Sequence, residues 1–194
     1  MKSLILLSGI ASILAALNSV ALAGEAYNFD QQHSTITFKI HQFLGSTNGK
    51  FKKFDGKIDI NREEPEKSSV VARIDVRSID TGIVKRDNHL RSPEFFNIEK
   101  FPEITFKSRS VKQTGPERGD IVGDLTMHGV TKPITLHVKL LSSTSDTAQT
   151  RWSVTAEPLK RRDFELSFGG AAEAVSGIGQ AVVVSIEIEA ARAQ

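Results

Sequence analysis

The sequence contains no cysteine. This absence excludes disulfide bonds and thiol nucleophiles, so the protein has to obtain its stability from an apolar core. An excess of charge of either sign is also lacking, since 25 basic side chains stand against 23 acidic ones. Such a balance produces no field that would attract a polyanion. No nucleic-acid partner is expected, and the basic clusters GKFKKF and LKRRDF are interpreted as solvated strand faces or turn edges.

Sequence motifs of catalysis and metal binding are missing as well. The five histidines include no H-x-H or H-x-x-x-H pair, so no local metal site is predicted, although a site assembled from several strands is left open. No serine lies in a G-x-S-x-G motif, and VSGIGQ precedes a strand pattern rather than a helix, which argues against a dinucleotide site. The chain is therefore not expected to be an enzyme.

Residues 1–23 have the pattern of a cleavable export signal. Lys2 precedes the apolar stretch LILLSGIASILAAL, and the small-residue motif ALA occupies positions 21–23. The alternative is an uncleaved membrane anchor, which the serines within the stretch and the asparagine after it disfavour. The prediction is a signal peptide at 1–23, followed by a single periplasmic domain at 24–194.

Most of the chain after the signal alternates apolar and polar residues with a period of two, as half-buried strands do. In TITFKI, for example, Ile36, Phe38 and Ile40 share one face, and the same alternation runs through VVARIDVRSI and AVVVSIEIEA. The segments between such runs are rich in turn-forming residues. They are predicted as turns: GSTNGK at 45–50, NREEPEKSS at 61–69, QTGPERGD at 113–120, HGVTKP at 128–133 and STSDTAQT at 143–150.

About eight strands at short, even spacing predict an all-β fold, an extended antiparallel up-and-down barrel. The interval 79–102 lacks the alternation. In it, Asp87 is predicted to cap a turn that ends at Leu90, and Ser92 to cap a second helical turn that contains Pro93. A short helical insert over one barrel end is expected, with an ordinary loop held by its phenylalanines as the alternative.

The stretch GDLTMHGVTKPITL at 123–136 is interpreted as a β-hairpin. Apolar residues alternate on both sides of Gly129, which permits the chain to reverse. His128 is therefore assigned to the turn, and a polar contact at the barrel mouth is the alternative role for it.

Taken together, these segments resemble the YceI-like family of exported, lipocalin-like barrels. The resemblance covers essentially the whole chain after the signal, and its most specific parts are RDNHLRSPEFF and GDLTMHGVTKP. The family's motif positions fall here on Arg86, Asp87, His89, Leu90, Arg91, His128, Gly129, Thr131 and Lys132. Two positions depart from the family pattern. Glu165 follows RRDF where glycine is usual, which is expected to alter the bend near Phe164, and Gln180 stands where an acidic residue is common.

The resemblance implies a lipid-binding barrel that holds a polyisoprenoid or a similar long-chain amphiphilic lipid, for transport, storage or sequestration. No cofactor is expected apart from a bound isoprenoid lipid, for example a prenyl phosphate or an isoprenoid quinone. The side chains expected to line the tunnel are Phe38, Ile40, Ile74, Phe95, Phe96, Phe106, Leu125, Leu136, Val138 and Trp152. Arg86, His89 and Arg91 are expected at the mouth, beside the polar head of the ligand.

Further partners and a second function stay open at this point. A lipid ligand makes transient contact with a membrane an expected interaction, and a homodimer is a second possibility. The alternative function is that of a secreted hydrolase or isomerase that acts on a hydrophobic substrate.

Overall fold

The computed structural model describes residues 24–43, 45–144, 148–168 and 177–194, so the predicted export signal at 1–23 lies outside the described residues. The strands of the described part are β1 Glu25–Phe29, β2 Thr35–Gln42, β3 Gly45–Phe51, β4 Phe54–Ile60, β5 Ser69–Asp75, β6 Ile79–Asp80, β7 Glu103–Gly115, β8 Arg118–Met127, β9 Val130–Thr144, β10 Gln149–Ala156, β11 Leu159–Lys160 and β12 Ile178–Arg192. Its helices are α1 Val84–Arg91 and three short 3-10 segments, Pro65–Lys67, Val76–Ser78 and Arg161–Phe164. Within these ranges no helix is long and apolar enough to cross a membrane.

Six of the short strands combine into three long, interrupted strands. β1 and β2 lie end to end along β12, since Tyr27 pairs with Arg192 and Thr35 pairs with Glu187. β4 pairs with β1, and β3 pairs with β2, so β3 and β4 together form the next long strand. β5 and β6 pair with β4 and β3 in the same way.

The sheet closes on itself into a barrel. From β5 the order of neighbouring strands runs through β7, β8, β9 and β10 to β12, and β12 pairs with β1. Every pairing is antiparallel, and the long strands follow one another in chain order around the ring. The predicted all-β, up-and-down, lipocalin-like barrel of eight strands is confirmed.

The two ends of the barrel carry different connections. The end called the insert end carries the last residues of β2, residues 81–102, the β8–β9 turn and the described residues 157–168 after β10. The end called the terminal end carries the start of β1, the last residues of β9 and β12, and the turns after β4 and β7. Side chains that lie near a connection therefore belong to one end or the other.

The predicted helical insert is present, since α1 lies between β6 and β7, but its predicted boundaries are wrong. Asp87 is inside the helix and does not cap it, and α1 has no side-chain cap at its N-terminus. The Asp87 carboxylate instead accepts hydrogen bonds from the backbone N–H and the hydroxyl of Thr81. A carboxylate that satisfies donors ahead of the helix stabilises the first turn without occupying the cap position.

The second predicted helical turn is absent. Ser92 follows the last residue of α1, and its hydroxyl donates to the carbonyl of His89. Residues 93–96 form turns rather than a helix. Ser92 thus marks where one helix ends, because its side chain bonds backward as well as forward to Glu94 N.

The predicted turn at 45–50 is also wrong, because these residues form most of β3. Their glycines and short polar side chains are typical of turns. Gly49, however, is needed inside the strand, since a Cβ at this position would overlap the ring of Phe38 on β2. A glycine in a strand interior here marks the close approach of an aromatic ring.

The β8–β9 connection is a tight hairpin, as predicted, although it is shorter than 128–133. His128 and Gly129 both have positive φ, 52° and 78°, the geometry of a two-residue turn that matches strand twist. Thr131 is already in β9, where its hydroxyl lies 2.8 Å from that of Thr126. The His128 ring packs edge-on against Phe101, with 4.6 Å between ring centroids, so His128 lies in the turn.

Candidate functional site

The barrel encloses a cavity of about 1150 Å³. Pro116 and Arg118 line it at the terminal end, and Ile83 and Arg86 line it at the insert end. The wall between them is apolar because alternation turns every second side chain inward. All the side chains predicted for the tunnel line this cavity: Phe38, Ile40, Ile74, Phe95, Phe96, Phe106, Leu125, Leu136, Val138 and Trp152. Their contact with a ligand stays a prediction.

The cavity wall has a packed part and an open part. Phe106, Ile121 and Leu125 on β7 and β8 are buried in the core. Leu136 on β9 and Val184 on β12 also point inward, yet they are only half-buried. Inward side chains of a filled core would be covered completely. The partial exposure therefore reports open space inside the barrel.

Aromatic rings form a continuous path from the barrel wall into the insert. The ring centroids of Phe38 and Phe51 lie 5.7 Å apart, and those of Phe51 and Phe96 lie 6.5 Å apart. Phe96 contacts Phe95 edge-on at 5.2 Å, and Phe95 stacks on Phe168 at 4.7 Å. Offset and edge-on pairs are the favourable geometries for aromatic rings. The phenylalanines of the insert thus both anchor it and close the apolar wall.

Arg86 lies on the cavity wall at the insert end, and its predicted contact with the head of a ligand stays a prediction. Its guanidinium donates to the hydroxyl of Thr81 at 2.7 Å, to the carbonyl of Thr81 at 2.9 Å and to the hydroxyl of Thr47 at 3.3 Å. Gln42 also donates to the Thr47 hydroxyl, at 2.8 Å. These partners are all neutral, so no carboxylate among the described residues neutralises Arg86 by an ion pair.

His89 and Arg91 occupy different surroundings, although both were predicted at the mouth. His89 lines the cavity, where its ring stacks on Phe168 with 5.8 Å between centroids. The Arg91 guanidinium instead donates to the carbonyls of Arg77 at 2.9 Å and Ile79 at 2.7 Å, and Arg91 is absent from the described cavity wall. Its bonds hold α1 against the 3-10 segment Val76–Ser78 and the start of β6.

Arg161 is a cavity residue that the sequence analysis missed. Its side chain is buried, and its guanidinium donates to the carbonyls of Leu166 at 2.8 Å and Gly179 at 3.0 Å. It also lies 5.3 Å from the ring centroid of Phe168. The interpretation of LKRRDF as a solvated strand face or turn edge is therefore wrong for Arg161 and, of the two arginines, fits only Arg162, which is exposed. No local pattern distinguishes the arginine that turns inward from its neighbour.

Glu165, the residue that departs from the family pattern, has a φ of 58°. It follows the 3-10 helix Arg161–Phe164, and its backbone N–H donates to the carbonyl of Arg162 at 3.0 Å. This left-handed conformation is the one that favours glycine. The backbone thus keeps a glycine-like bend with a glutamate in place, and Phe164 beside it stays buried.

Trp152 places the only indole of the chain on the cavity wall. Its Nε1 is buried and has no hydrogen-bond partner among the described residues. Buried donors usually find a partner, so this N–H is a group that a polar atom in the lumen would satisfy.

At the terminal end two arginines pair with one glutamate. Arg62 lines the cavity and lies 2.9 Å from the Glu25 carboxylate, which also lies 3.0 Å from Arg192. A hydrogen bond from Tyr27, together with Arg62 and Arg192, lowers the pKa of Glu25. Burial and the same hydrogen bond raise the pKa of Tyr27. Arg62 is therefore already paired, whereas Arg118, which also lines the cavity at this end, is exposed to water and has no ion-pair partner among the described residues.

The described part of the chain contains no group of three histidine, aspartate or glutamate side chains placed to hold a metal ion. Two histidine–aspartate pairs, His33 with Asp30 and His137 with Asp120, have 2.7 Å contacts but lie on the exposed outer surface. The chemistry that this cavity supports is apolar contact along the wall and attraction of a polar or anionic group at the insert end.

Comparison with known proteins agrees with this architecture. The family profile of the YceI-like domain matches residues 27–190. Proteins named YceI from Salmonella arizonae and Salmonella paratyphi B are each 38% identical to the chain, over 96% of its length and 97% of theirs. Their length and that of this chain thus correspond almost completely.

Solved structures share the fold. BcnA of Burkholderia cenocepacia superposes with a TM-score of 0.76 at 22% sequence identity, covering 83% of this chain and 98% of BcnA. A polyisoprenoid-binding domain from Saccharophagus degradans superposes with a TM-score of 0.63 at 21% identity, covering 87% of this chain and 99% of that domain. At these identities the two structures show a common barrel.

Proposed function

Because the chain belongs to the YceI-like family, we propose that it binds a polyisoprenoid or a similar long-chain amphiphilic lipid in the barrel cavity, for transport, storage or sequestration. The observation that carries this proposal is the apolar cavity of about 1150 Å³, which runs between the two barrel ends. The polyisoprenoid-binding domain from Saccharophagus degradans has the same fold and supports it.

The size and character of the cavity favour a long apolar chain. Pockets for compact small molecules occupy roughly 300–1,000 Å³, and this one exceeds that range. Burying apolar surface contributes about 0.8 kcal/mol per CH₂ group, so several isoprene units offset the entropy lost on binding without any chemical step. A carrier that holds its ligand reversibly requires nothing more.

The polar head of the ligand is proposed to lie at the insert end. Arg86 there has neutral partners only among the described residues, whereas Arg62 at the terminal end is paired with Glu25. An unpaired guanidinium attracts a phosphate or a carbonyl oxygen more strongly than a neutralised one. Arg161 and the ring of His89 lie on the same part of the wall.

Export to the periplasm is part of the same proposal. The support for it is the apolar stretch at 4–17 after Lys2, followed by the small-residue motif at 21–23. N-terminal sequencing of the protein recovered from a periplasmic extract should give Gly24 as the first residue. A protein that keeps Met1 would contradict export by a cleaved signal.

The decisive experiment is extraction of the purified protein with organic solvent, followed by mass spectrometry. A prenyl phosphate or an isoprenoid quinone in the extract is the expected result. The delipidated protein is then titrated with an isoprenoid quinone while Trp152 emission is recorded, because this single tryptophan lies on the cavity wall. An empty extract together with no change in emission would contradict the proposal.

A matched pair of variants locates the binding site. Val138→Phe adds volume to the open part of the cavity wall, and Val122→Phe adds the same volume to an outward position of β8. The first should weaken quinone binding more than about tenfold, since overpacking the lumen removes the space for the chain, and the second should leave it unchanged.

Lipid recovered in a chemically altered form would instead favour the hydrolase or isomerase alternative.

A further inference from the structure

Three apolar side chains at the insert end are unusually exposed. Phe43 is 88% exposed, Val84 76% and Ile83 52%, the highest values for large apolar side chains among the described residues. Single exposed apolar residues are common on protein surfaces, but a group of them around a pocket mouth usually marks an interaction site. These three residues, together with Lys85, are called the rim.

The rim is continuous with the cavity. Ile83 and Lys85 both line the cavity as well as the surface. Phe43 follows Gln42, which bonds to Thr47, and Thr47 in turn accepts a hydrogen bond from Arg86 on α1. The end of β2 and the first turn of α1 therefore meet at one side of the opening, and an apolar path leads from the rim into the lumen.

Leu90 of α1 is buried, as expected for a helix on a water-exposed surface, but two residues earlier in the helix depart from that pattern. Its buried residues include the carboxylate side chain of Asp87, which bonds to Thr81, while Val84 points outward. Exposure of a β-branched apolar residue in the first turn gains nothing in water. Covering the rim with another apolar phase would remove this apolar surface from water and so lower the free energy.

The rim carries one charge, that of the exposed Lys85, which is positive and lies next to Val84. The nearest carboxylate on α1, that of Asp87, is turned inward, and the carboxylate of Glu94, which lines the cavity at this end, lies 3.4 Å from His89. Lysine and arginine side chains reach from an apolar layer to anionic lipid headgroups, where each contributes favourable electrostatic energy. Apolar residues flanked by cations are the composition of segments that lie in the interface of a membrane.

We infer that the rim docks on the surface of an anionic lipid bilayer, so that the lipid ligand passes between the bilayer and the cavity without crossing water. The inference rests on the lipid-binding function proposed above, since such a ligand partitions from water into membranes. A bilayer fits better than a protein partner, because the exposed side chains lie beside an opening that leads into an apolar lumen. Docking through so few side chains is weak and reversible, as repeated loading and release require.

Because the chain has no cysteine, single cysteines report on each position. Val84→Cys and Phe43→Cys are labelled with an environment-sensitive fluorophore, and Leu141→Cys, an exposed apolar position of β9 near the terminal end, is the matched control. With vesicles of phosphatidylcholine and phosphatidylglycerol, the first two should shift to shorter wavelength and the control should not. Equal shifts at all three positions, or none at 84, would overturn the inference. A shift that grows with protein concentration without vesicles would indicate a second copy as the occupant and would also overturn it.

Serine variants separate docking from ligand binding. The double variant Phe43→Ser, Val84→Ser should lower co-sedimentation with these vesicles about tenfold, whereas Leu141→Ser should not change it. The Trp152 response to a quinone in solution should be the same in all of them. Unchanged co-sedimentation of the double variant would overturn docking by the rim, while a wild-type protein with no Trp152 response would contradict the lipid-binding proposal itself.

Discussion

Arginine side chains bind oxygen atoms at both ends of the barrel, but they do so in different surroundings. At the insert end Arg161 is 2% exposed and donates to the backbone carbonyls of Leu166 and Gly179. At the terminal end the side chain of Arg62 is 51% exposed and pairs with Glu25. Water can replace the partners of Arg62 but not those of Arg161.

This difference indicates that Arg161 and Arg62 have different functions. Exposed ion pairs contribute little free energy, since water screens them and the side chains lose entropy on pairing. Buried bonds to backbone carbonyls hold a connection in one conformation, because breaking them leaves acceptors unsatisfied. The insert end is therefore the rigid frame of the proposed mouth, and the terminal end is closed by replaceable surface contacts.

The largest expected effect comes from removing the buried arginine. Arg161→Ala should lower the free energy of unfolding by about 4 kcal/mol, because buried carbonyls lose their donor. Arg62→Ala, the matched change at the terminal end, should lower it by less than about 1 kcal/mol. Urea unfolding followed by circular dichroism measures both. Equal losses for the two variants would remove the distinction between the ends.

The next largest effect concerns the helix of the insert. Asp87→Ala leaves the Thr81 N–H and hydroxyl without their acceptor and should lower the free energy of unfolding by about 2 kcal/mol. Asp87→Asn keeps one oxygen in place and should lose less than the alanine variant. The same urea titrations rank the wild type and the two variants by their free energy of unfolding. An alanine variant as stable as the wild type would show that Asp87 does not fix the insert.

A change in the opposite direction is expected at Glu165. Its left-handed backbone conformation strains a residue that has a Cβ, so Glu165→Gly should raise the free energy of unfolding by up to about 1 kcal/mol. Glu157→Gly, at an exposed position without positive φ, should not stabilise the protein. Thermal melts detect the difference, and a lower melting temperature for Glu165→Gly would contradict the strain.

The smallest effect is dependent on pH and belongs to the terminal end. The pKa of Glu25 lies below its ordinary value of 4.5, first through the hydrogen bond from Tyr27 and then through Arg62 and Arg192. Its charged form therefore stabilises the folded protein above pH 4.5, and this contribution is lost as the pH falls through the lowered pKa. The stability difference between wild type and Glu25→Gln should shrink on acidification. A difference that is constant between about pH 7 and pH 3 would contradict the role of the carboxylate.

The wall of the cavity could be predicted from the sequence, whereas most of the insert end could not. Alternation alone determines that Phe38 and Ile40 share a face with one another, and closure of the sheet turns that face inward. The bonds of Arg86 to Thr47 and of Arg161 to Gly179 join residues that are distant in sequence. No local pattern encodes such a pair.

Local signals were also misleading where tertiary contacts use the same residues differently. Gly49 has the composition of a turn but makes room for a phenylalanine ring in a strand. Asp87 has the chemistry of a helix cap but lies within α1, where it bonds to Thr81. In both cases a neighbour from another element, rather than the residue's own propensity, determines the conformation.

The pairing of β1 with β12, which joins Tyr27 to Arg192, has a consequence for the order of folding. These strands lie near opposite ends of the chain, and contacts of such long sequence separation form late because closing a long loop is entropically unfavourable. Until then β1 and β10 each have one unpaired edge that another chain can join. A chain that is still being synthesised is therefore an open sheet, and its unpaired edges are the places where aggregation can begin.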